Sequence, residues 1–343
     1  MDANAFIDSA HQIGKVFVTV KNHNYKMKLD VKHRIDWIDQ ARGILFLCVI
    51  LIHSQLSPDV IGYLYKPVFL TGFFFLSGYL YKDKPLKDKI IAVFNGLFVP
   101  FVLYSIIGGA IAAIESSSAK VGINILLTNL GGGDFVWFIP CLVIVEIFYL
   151  MLRQYMRGKT DIVCMVFSIM AIFITANIGL QRGFWSWEVS LFAIGFFAFG
   201  DFCKKRLLSF KYAIILSALY LFFAIVCGSW GLLNGIDMHL NKYGSTVVFI
   251  PLAAIGCISF VSLIRFVPTT KIIVEFGRYT LFMFPFHYMI MMHTMNCVHK
   301  LGVTNGKAWG ISSLLLTFVF LLFISRYIYK FVPALGGKKK WIK

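Results

Sequence analysis

Apolar residues arrive along this chain in long blocks separated by short polar, cation-bearing stretches. Ten blocks come close to the roughly 20 residues that a helix needs to cross a bilayer core. They predict spans over residues 38–56, 62–81, 90–114, 135–152, 162–180, 190–203, 211–230, 246–264, 273–294 and 310–331. The sixth is short, and the ninth carries Met and His among its apolar positions. The pattern predicts an all-α, polytopic integral membrane protein of about ten transmembrane helices. Residues 1–35 read as a basic N-terminal arm, 36–331 as the membrane domain and 332–343 as a basic tail. The longest apolar run in the arm, near Val16 to Val20, is too short for a signal-peptide core.

Composition agrees and excludes a water-soluble enzyme. Of 343 residues, 59% are hydrophobic and only 14% charged, against about 25% charged in a typical soluble domain. The net charge of +17 would suggest nucleic acid in a soluble chain, but its distribution gives it another meaning. Threading the ten spans with the N-terminus inside places 26 of the 33 Lys and Arg on one side, including Lys82, Lys84, Lys87, Lys89, Arg153, Lys204, Lys205 and Arg206. Six fall on the other side: Lys66, Lys120, Arg182, Lys242, Lys300 and Lys307. Cytoplasmic loops collect cations, so both termini are expected in the cytoplasm and the chain in the cell (inner or plasma) membrane, with no nucleic-acid partner. The seven cysteines stand singly without a Cys-x-x-Cys pair, which predicts neither metal nor redox chemistry.

Arg42 belongs to neither side. It sits at the inner mouth of the first span, where a charge costs about 2.5–3.5 kcal/mol unless it snorkels or pairs. Asp39, three residues back, is one partner within reach. His53 lies eleven residues on, and eleven steps of about 100° return to within roughly 20° of the same helix face, about 16 Å along the axis. A cation at one end of a span and a titratable base near the other describe a path that suits proton relay or group transfer. Each residue alone reads equally as an interfacial anchor.

Other polar groups carry weaker signals. His287 sits mid-span beside Pro285 and reads as a second base or as a packing histidine. Glu146, inside the fourth span, needs a partner or a proton. Asp201 has Lys204 and Lys205 beside it for an ordinary ion pair. Ser77 and Gly78 are small residues that suit close helix approach. Gly131-Gly132-Gly133-Asp134 lacks phosphate-loop spacing and reads as a flexible turn. Trp137, Trp185 and Trp187 read as interfacial belt residues or as a platform for a sugar ring.

In order along the chain these segments resemble the family-3 membrane acyltransferases, and within them the fucose 4-O-acetylase-like branch. The first span gives the Arg, ten residues, His pattern as Arg42 and His53. The second ends in Phe74-Phe75-Leu76-Ser77-Gly78, and the third holds Leu97-Phe98-Val99-Pro100-Phe101. The fourth opens with Val136-Trp137-Phe138-Ile139, and the ninth runs from Phe276-Gly277-Arg278-Tyr279-Thr280-Leu281 to His287.

The resemblance implies an O-acyltransferase, most simply an O-acetyltransferase. It would move an acyl group from cytoplasmic acyl-CoA to a hydroxyl of a cell-surface glycan or lipid-linked sugar on the outer side. His53 would be the catalytic residue, as base or transient acyl carrier. Arg42 and Lys89 would hold the donor, and Asp39, Ser77, Trp137, Glu146 and His287 would support the site or shape the acceptor pocket. No permanent cofactor is implied, since acyl-CoA, expected to be acetyl-CoA, is a substrate. The family's Arg-x-x-Arg pair before the third span is replaced here by a stretch from Lys89 to Asn95, and Lys does not reproduce a bidentate grip. The rival class is a transporter or flippase of a glycolipid or polysaccharide precursor that uses no acyl-CoA.

Overall fold

The computed structural model describes residues 35–54, 56, 59–156, 158–180, 182–337 and 341–342. The basic arm, but for residue 35, lies outside the described residues. The first predicted span becomes α1 (Asp36–His53), one unbroken helix that carries both Arg42 and His53. The second is broken into α2 (Asp59–Tyr65) and α3 (Phe69–Tyr79), because Pro67 has no N–H to continue the ladder. The third is a single 31-residue rod, Leu86–Ser116. It consists of α4 (Leu86–Val93), a π turn (Phe94–Phe98) and α5 (Val99–Ser116).

A helix the hydrophobic pattern did not single out follows: α6 (Ala119–Leu130), capped by the Ser118 hydroxyl accepting from Val121 N and folded back along α5. The remaining elements are α7 (Phe138–Tyr155), α8 (Thr160–Asn177), α9 (Trp187–Cys203), α10 (Phe210–Ser229), α11 (Thr246–Ile264), α12 (Lys271–Arg278), α13 (Thr280–Lys300) and α14 (Gly306–Phe331). Every predicted span therefore has a helical counterpart, and among the described residues there is no strand.

Six of these helical segments are long and apolar enough to cross a membrane, so the chain is a multi-pass membrane protein. Three of the other four predicted spans differ for readable reasons, and the fifth, α8, counts among the shorter apolar helices. Asp36, Asp39 and Arg42 make α1 too charged, the second span is broken, and the ninth is split at Tyr279 into the short α12 and the Met- and His-bearing α13. The α10 helix shows the lipid-facing character most plainly, with Ile215, Leu219, Phe222 and Phe223 exposed on a surface that water would not tolerate.

The core gathers around α1, α3, α9 and α11, and its closest approaches depend on missing side chains. A Cβ at Gly78 would collide with the Phe197 carbonyl, and one at Gly277 with the Asp39 carbonyl. These contacts seat α3 against α9 and α12 against the first turns of α1. A second cluster joins Phe101, Tyr104, Phe282, Phe286 and Tyr329 to Leu335. The stretch after α14 therefore packs onto the bundle: Tyr104 donates to Leu335 O, and Asn95 in the π turn accepts from Trp341 N at 2.7 Å and Ile342 N at 3.2 Å and donates to Ile342 O at 3.0 Å.

Candidate active site

α1 ends at His53, which projects into a cavity of about 450 Å³. The walls come from four further places: Phe69 and Leu70 of α3, residues 134–138 leading into α7, the turn 236–239, and Phe284 to Tyr288 of α13. Three residues expected at the site from sequence, His53, Trp137 and His287, meet here. The imidazole centroids of His53 and His287 are 5.2 Å apart, and Tyr288 lies 5.3 Å from His53. Apolar rings floor the site, with Phe138 stacked on Phe284 at 4.3 Å and Phe46 at 5.6 Å from His287.

The backbone fixes the protonation pattern of His287. Its Nδ1 lies 2.6 Å from Phe284 O, and a carbonyl oxygen only accepts, so Nδ1 carries the proton. Nε2 then holds a lone pair; it is buried and has no partner among the described residues. His53 is exposed to the cavity. Two imidazoles, one of fixed tautomer, can receive and return a proton beside a reacting hydroxyl.

Facing them is a polar rim that sequence reasoning missed. All four residues of the turn line the cavity, with Ile236 and Met238 buried and Asp237 and His239 bringing its ionisable side chains to the wall. Asp237 accepts from Leu240 N at 3.3 Å, which caps that turn. The Arg182 guanidinium donates to Asp134, to Gly132 O and to the His239 ring, and Trp137 lies 5.2 Å from His239. The segment 131–134 is thus tied down rather than free. Burial and then the Arg182 charge hold His239 below the ordinary histidine range, against the pull of Asp134 and Asp237. The sequence-level signal was an Asp-x-His pair in a connection otherwise poor in ionisable groups.

The remaining expected residues do not line this cavity. Arg42 pairs with Asp39 at 3.9 Å, and Asp39, only 2% exposed, also pairs with Arg278 at 3.3 Å. Lys82, Lys84 and Lys87 are exposed, whereas Lys89 is half-buried with its ammonium 4.0 Å from the Tyr81 ring centroid. The cations that act on Glu146 are Lys89 and Arg42. Residues from α1, α4 and α7 thus form a second polar centre toward the Arg42 end of α1. The Ser77 hydroxyl donates to Phe73 O at 2.9 Å, within its own helix. Asp201 has the Lys204 partner expected for it, and Tyr149 and Arg153 as well.

A family model described as an acyltransferase domain, the family-3 acyltransferases, matches residues 35–328. No curated protein and no solved structure gives a match.

Proposed function

Since the chain belongs to acyltransferase family 3 and is a membrane acyltransferase, we propose that it carries an acetyl group from acetyl-CoA on the cytoplasmic side to a sugar hydroxyl held beside His53. The observation that carries this reading is the separation of the two centres along α1. One end offers Arg42 with Lys89 nearby, and the other offers paired imidazoles in a cavity. The cation bias of the connections makes the Arg42 end cytoplasmic, where CoA is found. Arg42 and Lys89 suit the anionic part of the donor as bidentate and point charges. The long pantetheine arm then brings the thioester along α1.

At the cavity, His53 takes the proton of the acceptor hydroxyl as its oxygen attacks the thioester carbonyl. The C–S bond breaks, the ester forms, and the departing thiolate recovers the proton from the imidazolium. His287, whose ring centroid lies 5.2 Å from that of His53, shares the proton load. Trp137 offers its face to a sugar ring, and Asp39 and Glu146 balance the charge of Arg42 and Lys89. Gly78 lets α3 sit against α9, while Ser77 donates within α3 to Phe73 O.

The test supplies membranes containing the protein with acetyl-CoA labelled in the acetyl group. Label should appear in envelope glycan as an alkali-labile ester, and only when the protein is present. Passage of unmodified precursor across the bilayer with no use of acetyl-CoA would overturn the reading in favour of a transporter.

A further inference from the structure

The cavity at His53 has a charge character that bears on which sugars it accepts, and the inference here rests on the acyl-transfer reading above. No Lys or Arg appears among the described residues that line it, whereas two carboxylates do, Asp134 and Asp237. Arg182, at the rim, is engaged by Asp134, Gly132 O and His239. In both aspartates one oxygen is in use: Asp134 Oδ1 holds Arg182 and faces His239, and Asp237 Oδ1 caps the turn through Leu240 N. Their second oxygens have no hydrogen bond among the described residues. The wall therefore offers a free carboxylate oxygen from each aspartate to a ligand.

Two carboxylate oxygens suit a ligand that donates hydrogen bonds, and a ring of hydroxyl groups does that. An anionic sugar would bring a carboxylate or phosphate against two carboxylates with no Lys or Arg among the described lining residues to receive it, and like charges brought together suppress a partner. The aromatic faces of Trp137 and Tyr288 serve the apolar face of a ring whatever its charge. The discrimination therefore falls on the carboxylates. Asp134 is 87% exposed and already paired, so Asp237, fixed by its cap and by the backbone bridge to Lys242, faces the ligand most rigidly.

We propose that the cavity takes a neutral, hydroxyl-rich sugar residue and rejects one with a carboxylate or phosphate beside the accepting hydroxyl, with Asp237 as the specificity-determining residue. Any phosphate of a lipid-linked acceptor lies outside the cavity.

The experiment uses the full chain in membranes, acetyl-labelled acetyl-CoA and the envelope glycan of the producing cells, with His53→Ala as background. Labelled glycan is fragmented and the ester located by mass spectrometry. Ester on a neutral hexose, deoxyhexose or N-acetylhexosamine is expected; ester on a uronic, sialic or phosphate-bearing residue overturns the proposal. Absence of any His53-dependent ester overturns the acyl-transfer reading itself and this proposal with it, so the two failures are distinct.

In a second arm, methyl glucoside and methyl glucuronide compete with the labelling at equal concentrations. The neutral glycoside should inhibit the wild type at least about tenfold better. Asp237→Asn keeps the capping oxygen and the size of the side chain while removing the charge, and it should narrow that ratio to within about threefold. A glucuronide that competes equally with the wild type, or a ratio that Asp237→Asn leaves unmoved, contradicts the proposal.

Discussion

The imidazole centroids of His53 and His287 stand 5.2 Å apart in one cavity, although His53 ends α1 and His287 sits within α13. His287 is held by a hydrogen bond to its own helix's Phe284 carbonyl, which leaves Nε2 as an acceptor. Replacing His287 with Phe keeps an aromatic ring beside Phe46 and removes the unpartnered nitrogen. Folded yield in detergent should be unchanged, while acyl transfer falls by about 10²-fold, the low end of general acid–base contributions. Equal activity in that variant would show that His287 is a packing residue.

Donor binding and chemistry separate along α1. Arg42→Ala removes the guanidinium paired with Asp39 and acting on Glu146. It is expected to raise the KM for acyl-CoA by at least about tenfold, a loss of roughly 1.4 kcal/mol of donor binding. Arg42→Lys should restore it only in part, since Lys lacks the planar fork. Initial rates against donor concentration decide the matter. A fall in kcat at unchanged KM would place Arg42 in the chemical step instead.

Packing makes a separate claim at the end of the second predicted span. Gly78 has no room for a Cβ against the Phe197 carbonyl. Gly78→Val should destabilise the bundle by about 1–3 kcal/mol or more, as overpacking does. Ser77→Ala loses a local bond to Phe73 O and should cost at most about 1 kcal/mol. Thermal melts of the two variants in one detergent compare them directly.

His239 gives stability a pH dependence of known sign. Its folded pKa lies below the ordinary value, with burial and Arg182 as the causes. The unfolded chain therefore takes up a proton at a higher pH than the folded one, near about 6.5. Stability should fall as pH drops from about 6.5 toward the lower folded value and should flatten below it. His239→Gln should remove that part of the slope. Melts at pH 7.5, 6.5 and 5.5 that are parallel for both proteins would contradict it.

Asn95 makes three hydrogen bonds with residues 341 and 342 from within the π turn, and it is buried. Asn95→Ala leaves those backbone groups without their partner, a cost of about 1–3 kcal/mol. Trypsin should then cut after Lys338, Lys339 or Lys340 sooner than in the wild type. Unchanged cleavage times would show that Asn95 does not secure the tail.

The hydrophobic pattern located the helices because a bilayer demands long apolar runs, and it located Arg42 and His53 because charge is scarce inside those runs. What escaped it depends on contacts between distant segments. The α6 helix is only twelve residues long and packs back on α5 through Gly109 and Gly122, so its apolar residues read as part of a connection. The breaks at Pro67 and Tyr279 shorten helices without interrupting hydrophobicity. Asp134, Arg182 and His239 come from three separate connections, and nothing along the chain announces that they meet. Ser77 and Gly78 stood out as small residues, and the fold gives Gly78 a concrete reason in the α3–α9 contact. Asn95, where the resemblance led one to look for an Arg, has instead a partner in the chain's own final residues.

The most direct measurement compares wild type and His53→Ala at equal membrane content, following transfer of the labelled acetyl group from acetyl-CoA to glycan. Loss of at least about 10²-fold in transfer, with the variant still inserted and folded, is the expected result. Transfer at the wild-type rate by His53→Ala would contradict the central claim that the cavity at the end of α1 is where the ester is made.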